Sequence, residues 1–224
     1  MPKYHKLIYD KKKKIILHNY DQAYREDKNT WSSQDRMDMM PYSYLLGLLQ
    51  SKTIMKRFKK TKTKNAFLDI GCGFGDFVDY LNYNTEYDGF GFDISKFAIA
   101  KGKKKFGNKI KLQQCDIRNG IPYYKKKFNI IFMNGTLWYY LKECKKIFKD
   151  IKNHMAVKGI LTISITMHKN PIGKEIIANG KDFKKIVKKD FKIINELCWV
   201  ESSYLNGEII QNTTPNHLLL CEKK

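Results

Sequence analysis

From Asn65 onward the chain alternates short apolar runs with longer amphipathic stretches. The runs Phe67–Ile70, Tyr87–Phe92, Lys109–Cys115, Phe128–Met133 and Ile160–Thr166 read as buried strands, the last opened by the turn signal Lys158-Gly159. Between them, Gly75–Tyr83, Lys96–Phe106, Tyr139–His154 and Lys181–Lys189 carry the pattern expected of helices. Strands that alternate with helices pair in parallel and carry helices on both faces of the sheet. Two further strands, Lys192–Glu201 and His217–Glu222, lie around the turn dipeptide Asn206-Gly207. The first 64 residues differ in character. Lys11–His18 is a basic-apolar stretch, strand or tail, and Asp21–Asp27 predicts a short polar helix. A longer helix is predicted over Ser33–Lys60, with Tyr44, Leu45, Leu48 and Leu49 on one face and a kink or restart at Pro41. The expected organisation is an N-terminal extension, 1–64, followed by one compact unit, 65–224.

The stretch Phe67-Leu68-Asp69-Ile70-Gly71-Cys72-Gly73-Phe74-Gly75-Asp76-Phe77 runs from a strand through a glycine-rich turn into a helix. Glycines at alternate positions let the backbone turn tightly and approach a ligand closely. A dinucleotide fingerprint requires Gly-x-Gly-x-x-Gly, with a pyrophosphate on the helix N-terminus. Here the third glycine comes one residue early and Asp76 fills the last position, a poor neighbour for a pyrophosphate. An oxidoreductase reading fails at that spacing. The pattern Asp69-x-Gly71-x-Gly73-x-Gly75 instead resembles motif I of the class I S-adenosylmethionine methyltransferases, whose ligand carries no phosphate. Later polar strand ends follow in the same order as in that family: Asp93 after the second strand, Asp116 after the third and Asn134 after the fourth. Each aspartate alone reads more readily as a helix N-cap or turn residue. Together, on successive strands of an open α/β sheet, they mark the carboxyl edge where ligands bind.

The resemblance implies an α/β, Rossmann-like seven-stranded sheet with a C-terminal antiparallel hairpin and an N-terminal helical cap. It implies S-adenosyl-L-methionine as cofactor, with Asp69 at its amino-acid end, Asp93 at the ribose and Asp116 at the adenine. Gly71, Gly73, Gly75, Ile94, Ile117, Asn134 and Leu137 complete the cofactor-binding set that the resemblance implies. It implies no metal. The segment Gly135-Thr136-Leu137-Trp138-Tyr139-Tyr140-Leu141 is similar to that of small-molecule enzymes, including nodulation-type sugar N-methyltransferases. Tyr24, Trp31 and Arg36, with Tyr139, would then line an acceptor pocket under the cap. His168, in Thr-Met-His-Lys-Asn-Pro just past the fifth strand, is the candidate general base.

The formal charge of +21 at first suggests a nucleic-acid partner. Only four of the 43 basic residues are arginine, however: Arg25, Arg36, Arg57 and Arg118. Arginine supplies the bidentate contacts of specific nucleic-acid recognition, and lysine abundance alone reflects an AT-rich coding sequence. No Asp/Asn-Pro-Pro-aromatic motif follows the fourth strand, and no cysteine follows a proline. The five cysteines are dispersed, which argues against a disulfide framework or a zinc site. The N-terminus Met-Pro-Lys-Tyr-His-Lys lacks the apolar core of a signal peptide, so a cytoplasmic protein is expected. The expected activity is methyl transfer to O or N of a small polar or anionic acceptor, such as a sugar, nucleotide-linked or phosphorylated intermediate. The alternatives are an RNA or DNA methyltransferase using the lysine-rich surface, and a non-catalytic methyltransferase-like binding protein.

Overall fold

The structure is a computed structural model that describes residues 5–10, 12–13, 15–26, 44–45, 47, 50–51, 57–58, 65–167, 173–205 and 208–224. A short helix α1 (His5–Ile8) leads into a two-stranded ribbon, β1 (Tyr9–Asp10) and β2 (Ile15–Ile16), and then helix α2 (Tyr20–Glu26). The main unit follows as β3 (Ala66–Ile70), α3 (Asp76–Asn84), β4 (Asp88–Asp93), α4 (Lys96–Phe106) and β5 (Lys111–Gln114). It continues with β6 (Phe128–Asn134), α5 (Cys144–His154), β7 (Met155–Thr166), α6 (Gly180–Asp190), β8 (Phe191–Leu205) and β9 (Glu208–Lys223).

Seven strands form one sheet in the order β5-β4-β3-β6-β7-β9-β8. The chain steps outward from β3 through β4 to β5, then returns to the other side of β3 for β6. That reversal opens a crevice at the carboxyl ends of β3 and β6, the usual ligand position in such sheets. β3 pairs in parallel with both β4 and β6, and β9 runs antiparallel between β7 and β8. All five residues of β3 are buried, as a central parallel strand requires. On one face Phe77, Val78 and Leu81 of α3 and Ile99 of α4 pack against Phe67, Ile130 and Phe132. On the other, Ile147, Phe148 and Ile151 of α5 and Phe183 and Val187 of α6 pack against Leu68, Ile131 and Leu161.

Three boundaries differ from the sequence expectation, each for a local reason. The helix expected over Tyr139–His154 divides into a 3₁₀ segment, Leu137–Glu143, and α5, with Tyr140 non-helical at φ −136°. Leu137, Trp138, Tyr140 and Leu141 are all buried, and Trp138 Nε1 donates to the Thr166 carbonyl at 2.8 Å, so this segment packs on the end of β7 as an element of its own. Lys158-Gly159 lies inside β7 rather than before it: Lys158 takes φ +61° and the pairing with β6 shifts register there. The closing strand begins at Glu208, not His217, because Val200 and Pro215 remain paired beyond the apolar run. The predicted Ser33–Lys60 helix lies mostly outside the described residues. Within it Leu45 is helical and buried.

Gly102 lies inside α4, where alanine would ordinarily stabilise a helix by about 1 kcal/mol. A Cβ there would stand 2.3 Å from the Phe74 carbonyl oxygen and 2.7 Å from Leu112 Cδ1. Gly102→Ala is therefore expected to lower stability in urea unfolding by about 1–2 kcal/mol, since overpacking against backbone outweighs propensity. A variant as stable as the parent would contradict this packing of α4 on the glycine turn.

Candidate functional site

The glycine turn joins β3 to α3 at the crevice. Gly71 and Cys72 donate their amides to the Phe92 carbonyl, at 2.9 and 3.1 Å, so the turn hangs from the end of β4. Gly71 and Gly73 adopt φ +78° and +55°, and a Cβ on Gly71 would meet Thr136 Oγ1 at 2.5 Å. Thr136 Oγ1 in turn donates to the Ile70 carbonyl, tying the loop after β6 to the end of β3. Beside the turn, Asp93 accepts from Gly73 N at 3.0 Å and from Ser95 N at 2.8 Å. Ser95 caps α4 by accepting from Ala98 N.

Helix α2 docks over this arrangement. Asp21 Oδ1 accepts from Ser95 Oγ at 2.5 Å and from Phe97 N at 3.1 Å, which latches α2 to the first turn of α4. Tyr24 is buried, its ring edge-on to Phe74 at 5.0 Å and its hydroxyl against Gly73. Arg25 lies over the Phe97 ring. Tyr20 meets Tyr139 edge-on at 5.5 Å, so α2 bridges the β4 and β6 sides of the crevice.

The electrostatics of the crevice are opposite to those of the chain as a whole. Asp69 is buried without a cation beside it among the described residues, and burial followed by the nearby Asp93 charge pushes its carboxyl up to about 7. Burial raises Asp93 to about 6 against the pull of its two backbone donors. Such carboxylates gain most from a cationic or multiply hydroxylated ligand. Both polar atoms of the Asn134 amide, at the end of β6, are buried without partners among the described residues. An orphaned amide, two acids seeking donors and glycines that leave no room for a Cβ fit S-adenosylmethionine, with its ammonium, ribose diol and absence of phosphate.

At the far end Asp116 caps the 3₁₀ turn Ile117–Asn119, accepting from Arg118 N at 2.9 Å. The Arg118 guanidinium also grips both its oxygens, with Nη2 2.6 Å from Oδ2, and holds the carboxyl below its ordinary range despite partial burial. Arg118 lies 6.0 Å from the Tyr140 ring. His18, just before α2, adds its ring to this end, with Asp116 and Arg118 both acting on it.

Of the residues singled out from the sequence, Asp69, Gly71, Gly73, Gly75, Asp93, Ile94, Asp116, Ile117, Asn134 and Leu137 all fall at or beside the carboxyl edge of the sheet. Tyr139 stands between Tyr20 and Tyr140. Tyr24 sits on the glycine turn. Trp31, Arg36 and His168 lie outside the described residues. Sequence reasoning passed over His18, Tyr20, Asp21 and Arg118. The only available signal was the spacing of Tyr20 one helical turn before Tyr24. His154 Nδ1 lies 3.0 Å from the carbonyl oxygen of Asp150 in the last turn of α5. Among the described residues the cysteines are free and no cluster suited to a metal occurs.

A sequence profile for a methyltransferase domain matches residues 61–217, well over half of the chain. No curated protein matches the sequence. Among solved structures, an S-adenosylmethionine-dependent methyltransferase from Clostridium acetobutylicum superimposes with a TM-score of 0.63 at 15% identity, covering 89% of this chain and 98% of its own. The N-methyltransferase NodS from Bradyrhizobium japonicum, in complex with S-adenosyl-L-homocysteine, gives 0.61 at 14% identity over 92% and 98%. Magnesium protoporphyrin IX methyltransferase from Synechocystis, with S-adenosylhomocysteine bound, gives 0.54 at 14% identity over 81% of each chain.

The raised Asp69 and Asp93 carboxyls bind protons that the unfolded chain has released, so the unliganded fold loses stability as pH rises from about 4 to about 7. A ligand that supplies donors to both carboxylates reverses this by expelling the protons. S-adenosylhomocysteine binding is therefore expected to tighten from about pH 5.5 to about pH 8 and to release protons, seen calorimetrically as a binding heat that varies with buffer ionisation heat. Binding with no proton release in that window would contradict the acidic-crevice account.

Proposed function

The chain belongs to the methyltransferase-domain family as an S-adenosylmethionine-dependent enzyme, and from that premise we propose that it methylates O or N of a small polar or anionic acceptor. A sugar, a nucleotide-linked compound or a phosphorylated intermediate is the class favoured. The observation that carries this reading is α2, latched over the crevice by Asp21, which leaves an acceptor to enter beneath a protein cover. The neighbouring folds support it: NodS is an N-methyltransferase, and others are methyltransferases of plantazolicin and of magnesium protoporphyrin IX. The net charge of +21 favours the approach of an anionic acceptor by long-range steering.

In this reading residues 1–64 form the cap and residues 65–224 the catalytic unit. Asp69 takes the cofactor's ammonium, Asp93 the ribose hydroxyls, and the Asp116–Ile117 turn the adenine. Gly71, Gly73 and Gly75 let the backbone approach, and Asn134 and Leu137 border the methyl donor. Bound S-adenosylmethionine supplies an activated methyl group. The chain's own task is to align the acceptor, exclude water and take a proton where the acceptor carries one. Tyr139, Tyr24, Trp31 and Arg36 are assigned to the acceptor side, with Tyr24 also closing the glycine turn. His168 is assigned the proton. No helix among the described residues is long and apolar enough to cross a membrane, and we assign the protein to the cytoplasm.

One observation favours a second reading, methylation of RNA or DNA. Lys181, Lys184, Lys185, Lys188 and Lys189 on α6 line an open surface groove of about 530 Å³. Phosphate-dominated binding there is expected to be sequence-indifferent and lost steeply with salt. Tight binding of one RNA at physiological salt would promote this reading over the small acceptor.

Two variants test the assignments. Asp93→Ala removes a charge-assisted contact and is expected to weaken S-adenosylhomocysteine binding by about 2 kcal/mol in calorimetry. His168→Ala is expected to lower kcat roughly 100-fold with S-adenosylhomocysteine affinity nearly unchanged. Unaltered kcat in His168→Ala would leave alignment alone as the source of rate.

A further inference from the structure

His18 holds φ +57°, a left-handed conformation that a residue with a β-carbon adopts only at a cost. Its ring is half-buried, and Nδ1 is shut off from solvent with no hydrogen-bond partner among the described residues. The ring centroid lies 5.8 Å from that of Tyr20, whose hydroxyl is also buried without a partner among the described residues. Backbone strain together with an unpaired polar atom is retained in few places, and those cluster where a ligand completes the arrangement. The segment cannot simply swing away to relieve it, because Asp21, three residues on, is hydrogen-bonded to Ser95 and Phe97.

The charged groups that face His18 come from two other elements: Asp116 and Arg118 from the turn after β5, and Glu143 from the segment after β6. Burial first, then the Arg118 charge, hold the imidazole below its ordinary value of 6.5 against the opposing carboxylates. At neutral pH the ring is therefore uncharged, with one nitrogen able to accept. The nearby Asp116 carboxylate is already engaged by Arg118, which donates Nε to Oδ1 at 3.1 Å and to Oδ2 at 2.8 Å, and Nη2 to Oδ2 at 2.6 Å. The exocyclic amino group of an adenine brings two N–H donors to this end of the crevice, and Asp116 has little capacity left for both.

We propose that His18 supplies the second acceptor for the adenine amino group of the cofactor, so that the N-terminal segment completes base recognition. The inference rests on the assignment of the Asp116 end of the crevice to the adenine. It makes the cap a part of the cofactor site as well as a cover for the acceptor. It also gives the strained conformation a function: the left-handed turn at His18 aims a ring that a straight chain would direct elsewhere.

Calorimetry with two ligands separates the possibilities: S-adenosylhomocysteine, and S-inosylhomocysteine, in which a carbonyl oxygen replaces the amino group. The parent is expected to prefer the adenine ligand. His18→Gly removes the ring at a backbone angle that suits glycine, and is expected to weaken the adenine ligand roughly fivefold while leaving the inosine ligand unchanged. His18→Asn tolerates the left-handed angle and carries an amide acceptor, so it is expected to restore part of the preference. Acidification should narrow the preference in the parent as the ring gains a proton, and not in His18→Gly. Because Asp69 and Asp93 act on both ligands alike, the ratio isolates the base. A parent-like preference in His18→Gly would overturn the proposal. If Asp116→Asn still lost affinity for the adenine ligand in that case, the assignment of the base end would survive it. If neither variant changed binding, both would fall.

Discussion

Both oxygens of Asp93 accept backbone amides, one from Gly73 in the turn after β3 and one from Ser95 at the head of α4. This carboxylate sets the distance between two neighbouring loops that carry the ligand-facing backbone. Ser95, so placed, caps α4 and donates its hydroxyl to Asp21, which brings α2 across the crevice. Tyr24 then closes on Gly73, where a side chain would not fit. Because these bonds use one lone pair on each oxygen, Asp93 keeps capacity for donors from a ligand. Removing the carboxylate would loosen the turn, the helix head and the cap together.

The contrast between surface and crevice follows from burial. The chain carries 43 basic residues against 22 acidic ones, yet Asp69 and Asp93 sit at the carboxyl edge of the sheet with no described cation beside them. Lysine can extend its charge into water from nearly any helix, as the five lysines on α6 do. A buried carboxylate cannot escape in that way and holds its site in a state that a cation relieves. Net charge therefore describes what approaches the molecule, whereas the crevice describes what is bound.

The sheet was readable in the sequence because its central strands are buried on both faces, and a run such as Phe128–Met133 has no alternative fate. The cofactor edge was readable for a related reason: a glycine turn and polar strand ends repeat at the spacing that parallel topology imposes. The cap was not. His18 and Tyr20 lie in a stretch without periodicity, and their meaning comes from Tyr139, Asp116 and Arg118, about a hundred residues further along the chain. The pairing of Arg118 with Asp116 was equally hidden, since two residues in a loop give no pattern. The boundary errors at Lys158 and Tyr140 share one cause, that a bulge or a 3₁₀ segment obeys packing on the sheet rather than local propensity.

A crystal structure of the protein with S-adenosylhomocysteine tests the central claim most directly. The account predicts ribose hydroxyls within hydrogen-bond distance of Asp93, the ammonium near Asp69 and Asn134, and the adenine between the Asp116 turn and His18. A ligand seated away from the glycine turn, or one whose ribose avoids Asp93, would contradict it.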